Sequence, residues 1–371
     1  MTARAGRAAP TALYVKHAAG HHGPVRVGLV LGAGGVTGLA YHAAALAALD
    51  HDLGWDPRTA EIAVGTSAGS IVAAMLRRGV PASDLSAIAV GDEPSDTPDG
   101  ITRALRDRPE FPPVRLASLV GRPRLPTVAL VGAWLRRPWR VDPVTAIASV
   151  IPDGTLDLAE HASAIDEILG SRWPDDATWI CAVRQRDLRR VVLGRDARAP
   201  LASAVAASCA IPGYFRPVPI GDDTYVDGGV RSPTNADVLR RAVDLDLAIV
   251  VSPMSGRDLG RLGGRNLVRR HARAKLDGER KRLEAAGIPT VVIQPGPEVI
   301  EALGDDFMSD AQAADIVAAA FLDTGEQLRA PMTRTLLAGL VDRTRRDAEP
   351  VPGRARRSRR PERRPRRRPA R

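Results

Sequence analysis

The chain has 371 residues, room for one large domain or two ordinary ones. Its 44% apolar and 26% charged residues give a globular profile, and its two cysteines, Cys181 and Cys209, exclude a disulfide framework and a four-cysteine zinc site. The net charge of +10 comes from residues 351–371, which hold eleven Arg and one acid, Glu362; the other 350 residues carry 42 basic and 42 acidic side chains.

Residues 1–24 are rich in Ala, Gly and His without periodicity, and they read as a flexible leader. Basic residues Arg4, Arg7 and Lys16 are not followed by an apolar stretch, and no run of eighteen apolar residues occurs anywhere. The expectation is therefore neither a secretory signal nor a membrane-spanning helix. Together with the cysteine usage, that predicts a cytoplasmic protein.

Residues 25–31 form a short apolar run, as expected of a buried parallel strand. A Gly-rich turn over 32–38 precedes a helix with Leu39, Ala43, Leu46 and Leu49 on one face. Residues 61–65 predict a second strand and 67–78 a second helix. This strand–turn–helix rhythm predicts an α/β fold with a mainly parallel sheet.

Residues 92–160, rich in Pro, Arg and Gly, break the rhythm and read as an insertion or lid. Within it, residues 125–135 are apolar and are followed by Arg136, Arg137, Trp139 and Arg140. That composition suits a segment at a membrane interface or, equally, a covering core helix. Residues 178–184 and 189–193 read as a hairpin around 185–188. A small-residue helix is expected over 201–208, and buried strands over 245–251 and 290–293. The last predicted helix spans 311–321, capped by Ser309 or Asp310. The main domain is expected over 25–340, and from 345 the chain is low-complexity Arg and Pro, predicted to be disordered. That tail reads first as solvated, second as a tether to an anionic membrane surface and third as a nucleic-acid arm. No aromatics interleave it, so nucleic acid is the disfavoured partner.

Gly32-Ala33-Gly34-Gly35-Val36-Thr37-Gly38 has two readings. A glycine turn between strand and helix can hold phosphate on its amides, which would make this a nucleotide-binding α/β protein. The spacing is G-x-G-x-x-x-G, seen in short-chain dehydrogenases, but no tyrosine is followed four residues later by the lysine those enzymes need. The same amides could instead receive a developing oxyanion. Gly65-Thr66-Ser67-Ala68-Gly69 favours the second reading, because G-x-S-x-G between a strand and a helix is the context of a nucleophile elbow. The alternative for Ser67 is a simple helix cap.

A nucleophilic serine needs a base. Of the seven histidines only His271 lies late in the chain, and it sits in the charged stretch Arg269-Arg270-His271-Ala272-Arg273. Asp227, in Tyr225-Val226-Asp227-Gly228-Gly229, is the better candidate, although Asp-Gly alone reads as a hairpin turn.

Taken together, G-x-G-G-x-x-G, G-x-S-x-G and D-G-G resemble the patatin-like phospholipases, which are related to the catalytic domain of cytosolic phospholipase A2. Ala207-Ser208-Cys209-Ala210-Ile211-Pro212-Gly213-Tyr214-Phe215 also resembles a conserved block of that family ahead of its aspartate. The resemblance spans roughly residues 25–320. It implies a three-layer α/β/α sandwich and a Ser–Asp dyad without histidine. It makes Ser67 the nucleophile and Asp227 the general base. The amides of Gly34, Gly35 and Val36 become the oxyanion hole, and Gly32, Gly38, Gly65, Gly69, Gly228 and Gly229 support the turns. Neither metal nor cofactor is implied, and the substrate is a lipid or simple ester. A lipid acyltransferase would use the same groups. Family members often carry a basic residue just before the last loop glycine; Val36-Thr37 stand there in this chain. Contact with the inner face of a membrane, through 125–140 and the Arg tail, is a further expectation.

Overall fold

The computed structural model describes residues 25–106, 142–170, 172–242, 244–259 and 266–348. The leader, the apolar segment 125–135 with its basic flank, and residues 349–371 lie outside the described residues.

Eight strands form one sheet: β1 Val27–Leu31, β2 Ile62–Gly65, β3 Ala177–Arg184, β4 Arg189–Leu193, β5 Val218–Ile220, β6 Asp223–Asp227, β7 Leu247–Val251 and β8 Thr290–Ile293. β3, β2, β1, β7 and β8 run parallel, while β4, β5 and β6 pair antiparallel. The sheet is thus mainly parallel, as the strand–turn–helix rhythm predicts.

The central strands are apolar throughout because both sheet faces are covered. Leu29 and Leu31 of β1 and Ile249 and Val251 of β7 pack on one face against helices α1 (Gly35–Leu53) and α2 (Ala68–Arg77) and the later helix Ala313–Arg329. Val30, Val64 and Val250 point to the opposite face, where Leu276 and Leu283 of helix Leu267–Glu284 meet them. The result is a helix–sheet–helix sandwich.

The 185–188 hairpin forms as expected, with β3 and β4 in antiparallel register from Ile180↔Leu193 to Arg184↔Arg189. Two late elements differ from the sequence reading. The helix expected over 311–321 spans Ala313–Arg329, and its N-cap is Gln312 rather than Ser309 or Asp310. Ser309 and Asp310 close the preceding turn instead: Ser309 Oγ accepts from Ala311 N and the Asp310 carbonyl from Ala313 N. A further helix, Pro331–Ala348, runs past the point where the tail was expected to begin. Within 92–160, the described residues include helices over Asp99–Arg106, Pro143–Val150 and the start of Leu158–Leu169, with non-helical chain over 92–98 and 151–157.

One detail of the sheet positions everything that follows. β4 occupies one edge of β3 from Ile180 to Arg184. A strand has only two edges, so β2 and β6 must share the other one. β2 pairs along Ala177–Ile180 and β6 along Ala182–Arg184. Their C-terminal ends therefore meet head to head on β3, and the residues that follow Gly65 and end β6 are brought face to face.

Candidate active site

Ser67 sits in the turn from β2 into α2 with φ 53° and ψ −125°, a backbone that side-chain-bearing residues rarely adopt. Small neighbours make the turn possible. A Cβ on Gly69 would lie 2.0 Å from the Leu31 carbonyl oxygen, and one on Gly65 would lie 2.4 Å from Ser70 Cα. The turn is then fixed by hydrogen bonds. Ser67 N donates to Ser208 Oγ at 2.9 Å, and Ser208 Oγ donates onward to the Cys181 carbonyl at 2.7 Å. Ser70 Oγ donates to the Ser67 carbonyl at 2.6 Å.

Asp227 ends β6, and its amide donates to the Ala210 carbonyl at 2.9 Å. No hairpin follows: the chain turns into a short 3-10 segment, Gly228–Val230, and Asp227 Oδ1 accepts from Gly229 N at 2.6 Å. Burial dominates its titration and raises the pKa from 3.8 to about 6, while the nearby Ser67 side chain and the Gly229 amide favour the charged form and pull in the opposite direction. His271, on the surface helix Leu267–Glu284, plays no part in this contact.

Cys209 is the other nucleophilic side chain here, its Sγ 3.8 Å from Ser70 Oγ. Burial pushes its thiol up to about 12, so it stays protonated and inert as a nucleophile.

The glycine loop caps the same space. Gly35 has φ 64°, and a Cβ there would lie 2.3 Å from the Phe307 carbonyl oxygen, so only glycine fits. Gly32, Ala33, Thr37 and Gly38 donate their amides to the carbonyls of Val251, Pro233, Phe307 and Gly34. The amides of Gly34, Gly35 and Val36 have no partner among the described residues. They open α1, where the positive end of the helix dipole reinforces them. Buried His42 holds the loop from below, its Nε2–H donating to the Gly32 carbonyl at 2.7 Å. Burial lowers the pKa of this imidazole to about 4, so it is neutral at physiological pH.

An apolar cavity of about 400 Å³ opens at Ser67. Val36, Ile211 and Phe215 line it with Ser67, and Val72 and Met75 line it further along α2, with Leu85 of the next helix, Ala82–Val90. Met75 lies eight residues past Ser67, about 12 Å along the helix.

Three supporting residues went unassigned in the sequence reading. Ser208 lay inside a recognised motif, yet its bond to Ser67 N is visible only in three dimensions. His42 offered no signal beyond a histidine on a helix. Asn235, fully buried with φ 52°, donates Nδ2 to Thr66 Oγ1 at 3.2 Å and to the carbonyls of Gly228 and Ser232 at 3.2 and 2.6 Å. It therefore ties the turn before Ser67 to the turn after Asp227. Replacing Asn235 by alanine leaves these acceptors unpaired and keeps the left-handed backbone, so urea unfolding should show a loss of about 2–4 kcal/mol.

The family model described as patatin-like phospholipase matches residues 29–240, which contain the glycine loop, Ser67, Ser208 and Asp227. The chain belongs to the patatin-like phospholipase family. That membership places it among lipid hydrolases in general. Two solved structures resemble this patatin-like chain. One is VipD from Legionella pneumophila, at 12% identity and TM-score 0.38, covering 82% of this chain and 67% of that one. The other is the ExoU–SpcU complex from the type III secretion system of Pseudomonas aeruginosa, at 18% identity and TM-score 0.34, covering 88% of this chain and 59% of that one. This patatin-like chain thus spans about two-thirds or less of the length of these neighbours. No curated protein matches it in sequence. Among the described residues of this family member, no helix is long and apolar enough to cross a membrane.

Proposed function

We propose that the chain is a serine acyl hydrolase acting on lipid carboxylic esters through a Ser67–Asp227 dyad. The observation that carries the reading is the meeting of Ser67, held in its positive-φ turn in the wall of an apolar cavity, with the buried Asp227 at the facing end of β6. In this reading Asp227 accepts the Ser67 proton as the hydroxyl oxygen attacks the ester carbonyl. The tetrahedral oxyanion is received by the amides of Gly34, Gly35 and Val36, each such donor worth ~3–4 kcal/mol in comparable sites. Collapse expels the alcohol, which takes the proton from Asp227. Water, deprotonated by Asp227, then releases the fatty acid from the acyl-enzyme. Carboxylate is a weaker base than imidazole, so burial that lifts Asp227 toward 6 improves its match to neutral conditions.

An apolar cavity beside the free amides suits an acyl chain better than a nucleotide, whose phosphates and sugar would lie against Val36 and Ile211. Acyl transfer to an acceptor other than water would use the same intermediate. The cavity also yields a test of substrate class. Met75→Trp fills its far part, and p-nitrophenyl esters of rising chain length report the effect. Activity on the decanoate should fall at least ~10-fold relative to the butyrate, the scale by which a hydrophobic pocket discriminates one or two methylenes. Equal effects on both esters would place the acyl chain elsewhere.

A further inference from the structure

The edge strand β4 and the short 3-10 segment Ala236–Arg241 enclose a second cleft, of about 320 Å³. It lies on the sheet face away from the acyl cavity, since Val192 and Val238 belong to the opposite core cluster. Its chemistry is the reverse of the first. Arg189, Arg190, Arg195, Arg240 and Arg241 line it, against only two carboxylates, Asp196 and Asp237.

Both carboxylates are already engaged. Arg190 holds Asp237 through two bonds, Nη1–Oδ1 at 2.6 Å and Nη2–Oδ2 at 3.2 Å. Arg282 approaches the same Asp237 at 3.8 Å. Arg195 holds Asp196 at 2.7 and 3.0 Å, and its guanidinium lies 5.0 Å over the Trp179 ring, which fixes its plane. Arg189, Arg240 and Arg241 are exposed and form no ion pair among the described residues. The cleft therefore has a floor of paired arginines and a rim of three exposed ones that form no ion pair among the described residues.

We propose that this cleft binds a compact phosphate-bearing polyanion. Planar guanidinium forks match phosphate oxygens two at a time, and several converging forks favour a multiply charged phosphate over a single carboxylate. Concave, partly desolvated walls strengthen that attraction relative to an open basic surface. The neutral balance of the chain outside its tail makes this local excess a property of the site rather than of the whole surface. The phosphate belongs to a lipid headgroup or to a soluble phosphate ester.

The test uses the full chain and the variant Arg240→Ala/Arg241→Ala, which leaves the structural Arg190 in place. Arg270→Ala/Lys281→Ala, two exposed positions on helix Leu267–Glu284, removes the same charge elsewhere and serves as control. Binding of inorganic pyrophosphate is followed by calorimetry. Sedimentation with phosphatidylcholine vesicles, with and without phosphatidylinositol 4-phosphate, forms the second arm. The rim variant should bind at least ~10-fold more weakly in one arm or both, with the control within ~2-fold of wild type. A rim-dependent response to the vesicles identifies a lipid headgroup; one confined to pyrophosphate identifies a soluble ester. Equal loss in rim and control variants, no loss in either, or no binding by wild type overturns the proposal.

Discussion

Replacing Ser67 by alanine should abolish both ester hydrolysis and labelling by a fluorophosphonate probe. The expected loss in kcat is at least ~10⁴-fold, as for removal of a serine that acts as one unit with its base. Intact mass of wild type after probe treatment should show one adduct, and the Ser67→Ala protein none. The backbone permits a sharper version. Ser67 is held at φ 53° and ψ −125°, a conformation that costs a side-chain-bearing residue ~1–3 kcal/mol and glycine little. Ser67→Gly should therefore be inactive yet more stable than Ser67→Ala by ~1 kcal/mol or more in urea unfolding. Inactivity in both variants, with the stability gain confined to glycine, would mean that the strain serves to present the hydroxyl. An undiminished adduct on Ser67→Ala would place the reactive nucleophile elsewhere. Cys209 is a poor substitute, because burial keeps its thiol protonated.

The sequence made some parts of this arrangement legible and concealed others, for physical reasons. The turns could be read because close backbone approach demands glycine. Gly35 against Phe307, Gly69 against Leu31 and Gly228 against Cys181 each leave no space for a Cβ, and each stands in a recognised motif. Central strands could be read because burial on both faces forces an unbroken apolar run. What could not be read is how these pieces meet. The shared edge of β3 that sets β2 against β6 depends on pairing between segments 115 residues apart for β2 and β3 and 41–45 apart for β3 and β6. Local periodicity carries no record of a partner. The Asp-Gly pair read locally as a hairpin turn, but the Gly229 amide turns back onto Asp227 itself. Asn235 and Ser208 act through hydrogen bonds that reach Thr66 Oγ1 and Ser67 N, both more than a hundred residues away, and nothing in their neighbours' spacing announces that. The helix from Pro331 onward was missed because its sequence mixes Arg and small residues, a composition shared with the tail beyond it.

The second large effect concerns Asp227, and its sign differs between activity and stability. As a base it must be ionised, so kcat/KM should fall with unit slope as pH drops below about 6, the value to which burial raises this carboxyl. Asp227→Asn should be nearly inactive at every pH. Stability runs the other way. The folded pKa, about 6, lies above the unfolded value near 3.8, so the folded state holds the proton more tightly. Ionised Asp227 thus costs the fold about 3 kcal/mol above pH 6, a cost that vanishes as pH falls below 4. Asparagine is uncharged and its Oδ1 can still accept from Gly229 N, so Asp227→Asn should raise Tm at pH 7–8 while removing activity. His42 has the opposite slope. Its folded pKa, about 4, lies below the ordinary 6.5, so its contribution is present above 6.5 and is lost as pH falls toward 4. In wild type the two groups offset each other between pH 4 and 6. In Asp227→Asn the His42 loss stands alone, so the variant's advantage in Tm should shrink steadily on acidification from pH 7 to 4. A variant no more stable than wild type at pH 8 would show that the Asp227 charge is already compensated there. Its proton affinity would then be too low for the base proposed.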